Sequence, residues 1–175
     1  CCNVTDAGEI GSGVVECGQI DGPITIESLE DPSGGLGDLE IVWMMSDTLV
    51  ANIEGNPFWT LVQDSTRLSL VVEGPLTDSK YFIRCARRAG CSDFYTGESN
   101  TIGLIVNPLP VIQCSSTNGD CNNDNLGSVS VTEDPSYSYE WVNDEAPNDV
   151  ISTDASVSGL EAGTYSVTVT DENGC

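Results

Sequence analysis

The chain has no histidine, and only 5 lysines and arginines stand against 28 aspartates and glutamates, a formal net charge of −23 over 175 residues. Lack of histidine removes Ser-His-Asp and Cys-His nucleophile arrangements and every imidazole metal ligand. The scarcity of cations argues against nucleic acid, because duplex binding rests on neutralising phosphates with Lys and Arg. No apolar run approaches the roughly 20 residues of a membrane span, and no segment carries a helical hydrophobic period. Glycosidase-type carboxylate pairs cannot be singled out, since 28 acids supply many accidental ones. The expectation is therefore a non-enzyme with no nucleic-acid partner and no membrane insertion.

What is abundant is the chemistry of strands and turns. Short apolar segments recur at strand length, among them Leu39–Met45, Leu68–Val72 and Ile102–Val106. Alternation of small or polar with apolar residues marks further strands at Leu126–Thr132, Tyr137–Asn143 and Thr164–Asp171. In the first part of the chain, strands are expected near Val14–Cys17, Ile24–Leu29, Leu39–Met45, Thr60–Val62, Leu68–Val72, Lys80–Arg87 and Thr101–Val106. Turns fall at Gly34-Gly35, Gly55-Asn56-Pro57, Gly74-Pro75 and Gly90.

The 8 cysteines, Cys1, Cys2, Cys17, Cys85, Cys91, Cys114, Cys121 and Cys175, include no CxxC pair. An even cysteine count in such a chain reads as disulfides in an oxidising compartment. A chain that opens Cys1-Cys2 is expected to be a mature or excised segment.

Self-comparison shows a weak internal repeat. Tyr81 to Gly90-Cys91 has the spacing of Tyr165 to Gly174-Cys175, and Glu30-Asp31-Pro32-Ser33 recurs as Glu133-Asp134-Pro135-Ser136. Each tetrapeptide precedes a strand carrying a tryptophan, Trp43 or Trp141, with Cys17 or Cys121 upstream. The expected fold is all-β: two tandem immunoglobulin-like β-sandwich modules stapled by disulfides. The first is placed at residues 1–107, a linker at 108–120 entered through Asn107-Pro108-Leu109-Pro110, and a shorter module at 121–175. The shorter module stops where the first continues into its last strand. That strand is expected either from continuation of the chain or from another subunit.

The stretch from Gly159 to Cys175, with Gly163-Thr164-Tyr165-Ser166-Val167-Thr168-Val169-Thr170-Asp171 at its heart, resembles the end of the SprB-type repeat of giant Bacteroidetes surface adhesins. Cys121, Gly127-Ser128-Val129 and Tyr137-Ser138-Tyr139-Glu140-Trp141 fit the same pattern, although Asp134-Pro135 stands where the repeat usually has Gly-Gly. Residues 2–106 resemble a companion Ig-like module of such proteins. The resemblance implies export to the cell surface, tandem display, and an adhesive or filament role, as in gliding-motility adhesins. It implies no catalytic residue.

Candidate sites follow. Cys121–Cys175 would close the second module; Cys17 is expected to pair with Cys91, by the internal repeat, or with Cys85, as an inter-sheet bridge. Cys2 is counted in the disulfide framework and Cys1 is assigned to a preceding repeat. No cofactor is required; calcium is the one candidate ligand, on Asp120, Asn122 and Asp124 with Asp171 or Asn173. The spacing starts like an EF-hand loop, but Asn125 stands where that loop needs Gly. Lys80, Arg84, Arg87 and Arg88 cluster on one hairpin and form a candidate interface for an acidic neighbour, either a further repeat or a subunit. Asp47-Thr48-Leu49 and Asp64-Ser65-Thr66 resemble Bacteroidetes O-glycosylation sequons, marking Thr48 and Ser65; Asn3-Val4-Thr5 is a formal N-glycosylation sequon. A second function class is a carbohydrate- or calcium-dependent binding module, with Trp59 and Tyr95 stacking on surface glycans.

Overall fold

A computed structural model describes residues 1–50, 56–92, 94, 97–119 and 126–175. Fifteen strands are described and helix is all but absent. The chain divides into two compact units, Cys1–Asn107 and Pro108–Cys175.

The first unit contains β1 (Glu9–Ile10), β2 (Val14–Cys17), β3 (Ile24–Ile26), β4 (Ser28–Glu30), β5 (Leu39–Ser46), β6 (Thr60–Leu61), β7 (Leu70–Val72), β8 (Lys80–Arg88) and β9 (Ile102–Asn107). A five-stranded sheet runs β2-β9-β8-β5-β6, and the pairs β3-β7 and β1-β4 cover one face of its core. β2 joins β9 in parallel, with Val14 opposite Leu104; the other pairs are antiparallel. Ile24–Leu29 was expected as one strand, but it divides at Glu27, and its two halves join different partners.

Central strands explain the continuous apolar run of β5. Trp43 and Ile41 point into a core shared with Ile10, Ile20, Ile26, Leu70, Phe82 and Leu104. Val42 and Met44 point the other way, toward a second cluster built on Trp59, Ile83 and Cys85. A strand buried on both faces has no reason to alternate.

The second unit contains β10 (Cys114–Thr117), β11 (Gly127–Val131), β12 (Ser138–Asn143), β13 (Ala146–Ser152), β14 (Ser156–Leu160) and β15 (Tyr165–Thr170). Its sheets run β10-β11-β14 and β13-β12-β15. Val131, Tyr139 and Trp141 form the core, with Val129, Val157, Tyr165, Val167 and Val169 packed against them. The expected linker at 108–120 is corrected here: β10 lies within it and pairs with β11 from Cys114↔Val131 to Thr117↔Ser128. Its sequence, Cys-Ser-Ser-Thr, is exposed throughout and held by the backbone ladder and by Ser115 and Ser130 hydroxyls 2.7 Å apart. No apolar alternation announces such a strand.

The two units share one device. The Trp43 indole N–H donates to the Arg67 carbonyl at 2.8 Å, and the Trp141 indole N–H donates to the Asp154 carbonyl at 2.9 Å. Each acceptor lies just before a strand of the opposite sheet, β7 or β14. The shared spacing of Tyr81 and Tyr165 is nevertheless offset by one residue in three dimensions. Trp43 faces Arg84 across β5 and β8, whereas Trp141 faces Val167 across β12 and β15. Phe82, not Tyr81, is thus the counterpart of Tyr165, and Tyr81 packs on the outer cluster.

Candidate functional site

Of the four basic residues expected at an interface, Arg84 is corrected outright: it is 0% exposed, in the middle of the first unit. One terminal nitrogen donates to the Ser28 hydroxyl and the Leu68 carbonyl; the other donates to the carbonyls of Ala7 and Glu30, at 3.1 and 2.8 Å. Ser28 in turn donates to the Asp31 carboxylate at 2.7 Å. The guanidinium therefore clamps β8 to β4, to the turn before β1 and to the approach to β7. Its Nε is a buried nitrogen without a partner. Burial lowers the Arg84 pKa below its ordinary value, and the charge of Asp31 partly offsets that shift. Gly8 fits this clamp because its φ is +66°, and a Cβ there would sit 2.8 Å from the guanidinium.

The neighbouring cations are engaged within the same unit. Lys80 pairs with Asp47 at 2.5 Å. Arg87 pairs with Glu40 at 2.6 Å and lies 4.1 Å from the centroid of the Phe94 ring. Arg88 donates to the carbonyls of Gly34 and Gly37.

The cysteine framework differs from the expected one. Cys91 is bridged to Cys1, with Cα atoms 5.7 Å apart, so neither a Cys17–Cys91 bridge nor a preceding-repeat partner for Cys1 applies. Cys85 is a buried free thiol, which removes the Cys17–Cys85 alternative, and Cys2 is a free, exposed thiol outside the framework. Cys85 sits on the outer face of β8 beside Trp59 and Ile83, and Cys17 on β2 belongs to the same sheet with β9 between them, so the two could form no inter-sheet bridge. Burial, then the nearby charge of Glu98, pushes its pKa up to about 12. Cys17 and Cys175 are each disulfide-bonded. Cys114 is free and exposed; Cys121 lies outside the described residues.

The calcium candidates Asp120, Asn122 and Asp124 also lie outside the described residues. Asp171 accepts backbone N–H bonds from Asn173 and Cys175 on one carboxylate oxygen, at 2.9 and 2.8 Å. These bonds, that from Cys175 foremost, hold its pKa below the usual carboxylate value. The oxygen thereby serves a tight turn. Thr48 is exposed, and Ser65 is half-buried with its hydroxyl donating to the Gln63 carbonyl. The Asn3 side-chain oxygen accepts from the backbone N–H groups of Val4 and Arg88. Trp59 is buried in the second cluster, so the expected sugar platform is corrected there; Tyr95 lies outside the described residues.

A feature not expected from sequence is an open groove in the second unit, between the edges of β10 and β15. One part, of about 450 Å³, is lined by Ile112, Cys114, Val129, Trp141, Tyr165 and Val167. An adjoining part, of about 540 Å³, continues past Ser128 and Leu126 to Leu160 and Gly163. Among the described residues β15 pairs only with β12. The alternation of Tyr165, Val167 and Val169 along β15 is the sequence signal for an apolar face there, but not for a cleft.

Comparison with protein-family models and with curated proteins gives no match for this chain. Its disulfides fit an oxidising, non-cytoplasmic compartment, and no helix among the described residues is long and apolar enough to cross a membrane.

Proposed function

We propose that this chain is a structural and adhesive segment of a secreted, cell-surface repeat protein, built from two successive immunoglobulin-like sandwiches. The observation that carries the proposal is the tryptophan device repeated in consecutive units, with each indole closing onto the strand approach of the opposite sheet. Duplicated scaffolds in tandem suit display and reach. The strand order β2-β9-β8-β5-β6, with its parallel β2–β9 edge, supports the immunoglobulin-like reading of the first unit. The acidic surface supports a soluble exterior that resists unspecific association. The resemblance of residues 121–175 to SprB-type repeats supports the surface setting, with neighbouring repeats, other subunits and surface glycans as the contacts.

An adhesion assay tests this. Beads coated densely with the full chain should be retained on cell or glycan-coated surfaces, while the soluble monomer binds too weakly to compete, as multivalent display requires. Inert beads would overturn the proposal. Saturable, calcium-dependent binding of one sugar by the soluble monomer would replace it with the binding-module reading.

A further inference from the structure

We propose that the second unit cuts its own backbone between Asp134 and Pro135, in a single turnover that consumes only water. The tetrapeptide Glu-Asp-Pro-Ser occurs at residues 30–33 and again at 133–136, and the adhesive role leaves it unused. The activity belongs to the second unit alone and does not depend on that role.

The bond lies in a turn between β11 and β12. Two donors converge on the Asp134 carbonyl oxygen: the Tyr137 N–H, its nitrogen 3.1 Å away, and the Tyr139 hydroxyl, 3.2 Å away. Donors so placed stabilise the negative charge that this oxygen gains when its carbon is attacked. The Tyr139 hydroxyl also accepts from the Asp134 N–H at 2.8 Å, which fixes the phenol against the bond; its other acceptor, the Thr132 carbonyl, is farther, at 3.5 Å. The Asp134 carboxylate is folded back over the same peptide. Its Oδ1 accepts from the Ser136 N–H and hydroxyl, at 2.9 and 2.6 Å, whereas no described residue donates to Oδ2. The Ser136 hydroxyl, and then its N–H, holds the carboxyl pKa below the usual value. The group therefore stays an ionised nucleophile in mild acid.

The reaction balances with water alone. Oδ2 attacks the Asp134 carbonyl carbon and forms a C–O bond. The C–N bond then breaks, its electron pair stays on the Pro135 nitrogen, and that nitrogen takes a proton from solvent. Proline suits the departure, because its tertiary amide nitrogen leaves as a secondary amine. The cyclic anhydride left on Asp134 is opened by water to two carboxylates. Asp31–Pro32 lacks this setting: its carboxylate accepts from the Ser28 hydroxyl at 2.7 Å, and the Ser33 N–H donates to the Asp6 carbonyl. Ile41, two residues before Trp43, stands where Tyr139 precedes Trp141. After the cut, the β11–β14 ladder spans the two fragments and keeps them together while the unit stays folded.

The full chain carries its own control. Held in mildly acidic buffer, folded or unfolded in urea, it is reduced and its fragments are weighed by mass spectrometry. Folded chain should yield 1–134 and 135–175 about tenfold faster than unfolded chain, less than a donor pair contributes in a dry site. Asp31–Pro32 should gain nothing from folding. Cleavage at Asp134–Pro135 that is no faster in the folded chain, or equal gains at both bonds, would overturn the proposal; no substitution is involved, so misfolding cannot mimic either result. In water enriched in heavy oxygen, the label should divide between the two carboxyls of Asp134. Label confined to the α-carboxyl would mean direct attack by water and would sink the nucleophile. Tyr139→Phe, checked for folding by its tryptophan fluorescence, should lose most of the gain.

Discussion

A guanidinium removed from water must recover its hydration from fixed partners, and Arg84 recovers most of it from four oxygens, those of Ser28, Ala7, Glu30 and Leu68. Removing it would take a donor from the carbonyls of Ala7, Glu30 and Leu68 and leave its own buried site unfilled. Arg84→Met should therefore destabilise the first unit by about 3–5 kcal/mol. Arg84→Lys should also be costly, because a single ammonium cannot reach acceptors that a planar fork spans. Denaturant unfolding curves check both; a change within experimental error for Arg84→Met would refute the clamp. Cys85 gives the residue-scale pH dependence. Its thiol, raised to about 12 by burial and by Glu98, stays protonated in the folded protein long after it ionises in the unfolded chain, whose ordinary value is 9.0. A raised folded pKa means the contribution is fully present below pH 9 and lost as pH rises toward 12. Stability should fall by roughly 1 kcal/mol per pH unit in that window from this group alone. Comparing the pH slope of the protein with that of Cys85→Ala isolates it; identical slopes would refute the assignment. At pH 8 the thiol should also resist alkylation while Cys2 and Cys114 react.

At the scale of the element, the same tryptophan device sits in two differently closed units. Trp43 is enclosed on all sides, whereas Trp141 borders the open groove. Trp43→Ala should cost about 3–5 kcal/mol, and Trp141→Ala about 2–3 kcal/mol, because solvent from the groove can fill part of the space left behind. Urea midpoints of the two unfolding transitions, followed by unit-specific hydrogen exchange, would test the order; a larger loss at Trp141 would contradict it. The strands best read from sequence, β5, β8, β9, β11, β12 and β15, are those that bury apolar side chains. β10, β13 and β14 were not legible. Their residues are mostly exposed, so pairing is set by the backbone of a neighbour and not by a buried apolar face of their own. Arg84 was misplaced for a related reason: a cation on a hairpin reads as surface unless the converging carbonyls are known. The Tyr-to-Cys spacing aligns the two units one residue away from the register of their tryptophans, which in a strand reverses the face.

For the molecule as a whole, the bridge between Cys1 and Cys91 spans a sequence separation of 90 and closes nearly all of the first unit in one covalent ring. Constraining so long a loop in the unfolded chain is worth about 4–5 kcal/mol on the loop-entropy model. The ring also decides how the unit carries a pull. A load entering at Cys1 and leaving at Asn107 crosses to Cys91 and runs only through residues 92–107. Residues 2–90 stay slack, a hidden length on the order of 300 Å at about 3.5 Å per residue. The last stretch of that route is β9, zipped in parallel to β2 and antiparallel to β8. Under oxidising conditions the Cys1–Cys91 bridge then keeps residues 2–90 off this route, and a reductant returns them to it.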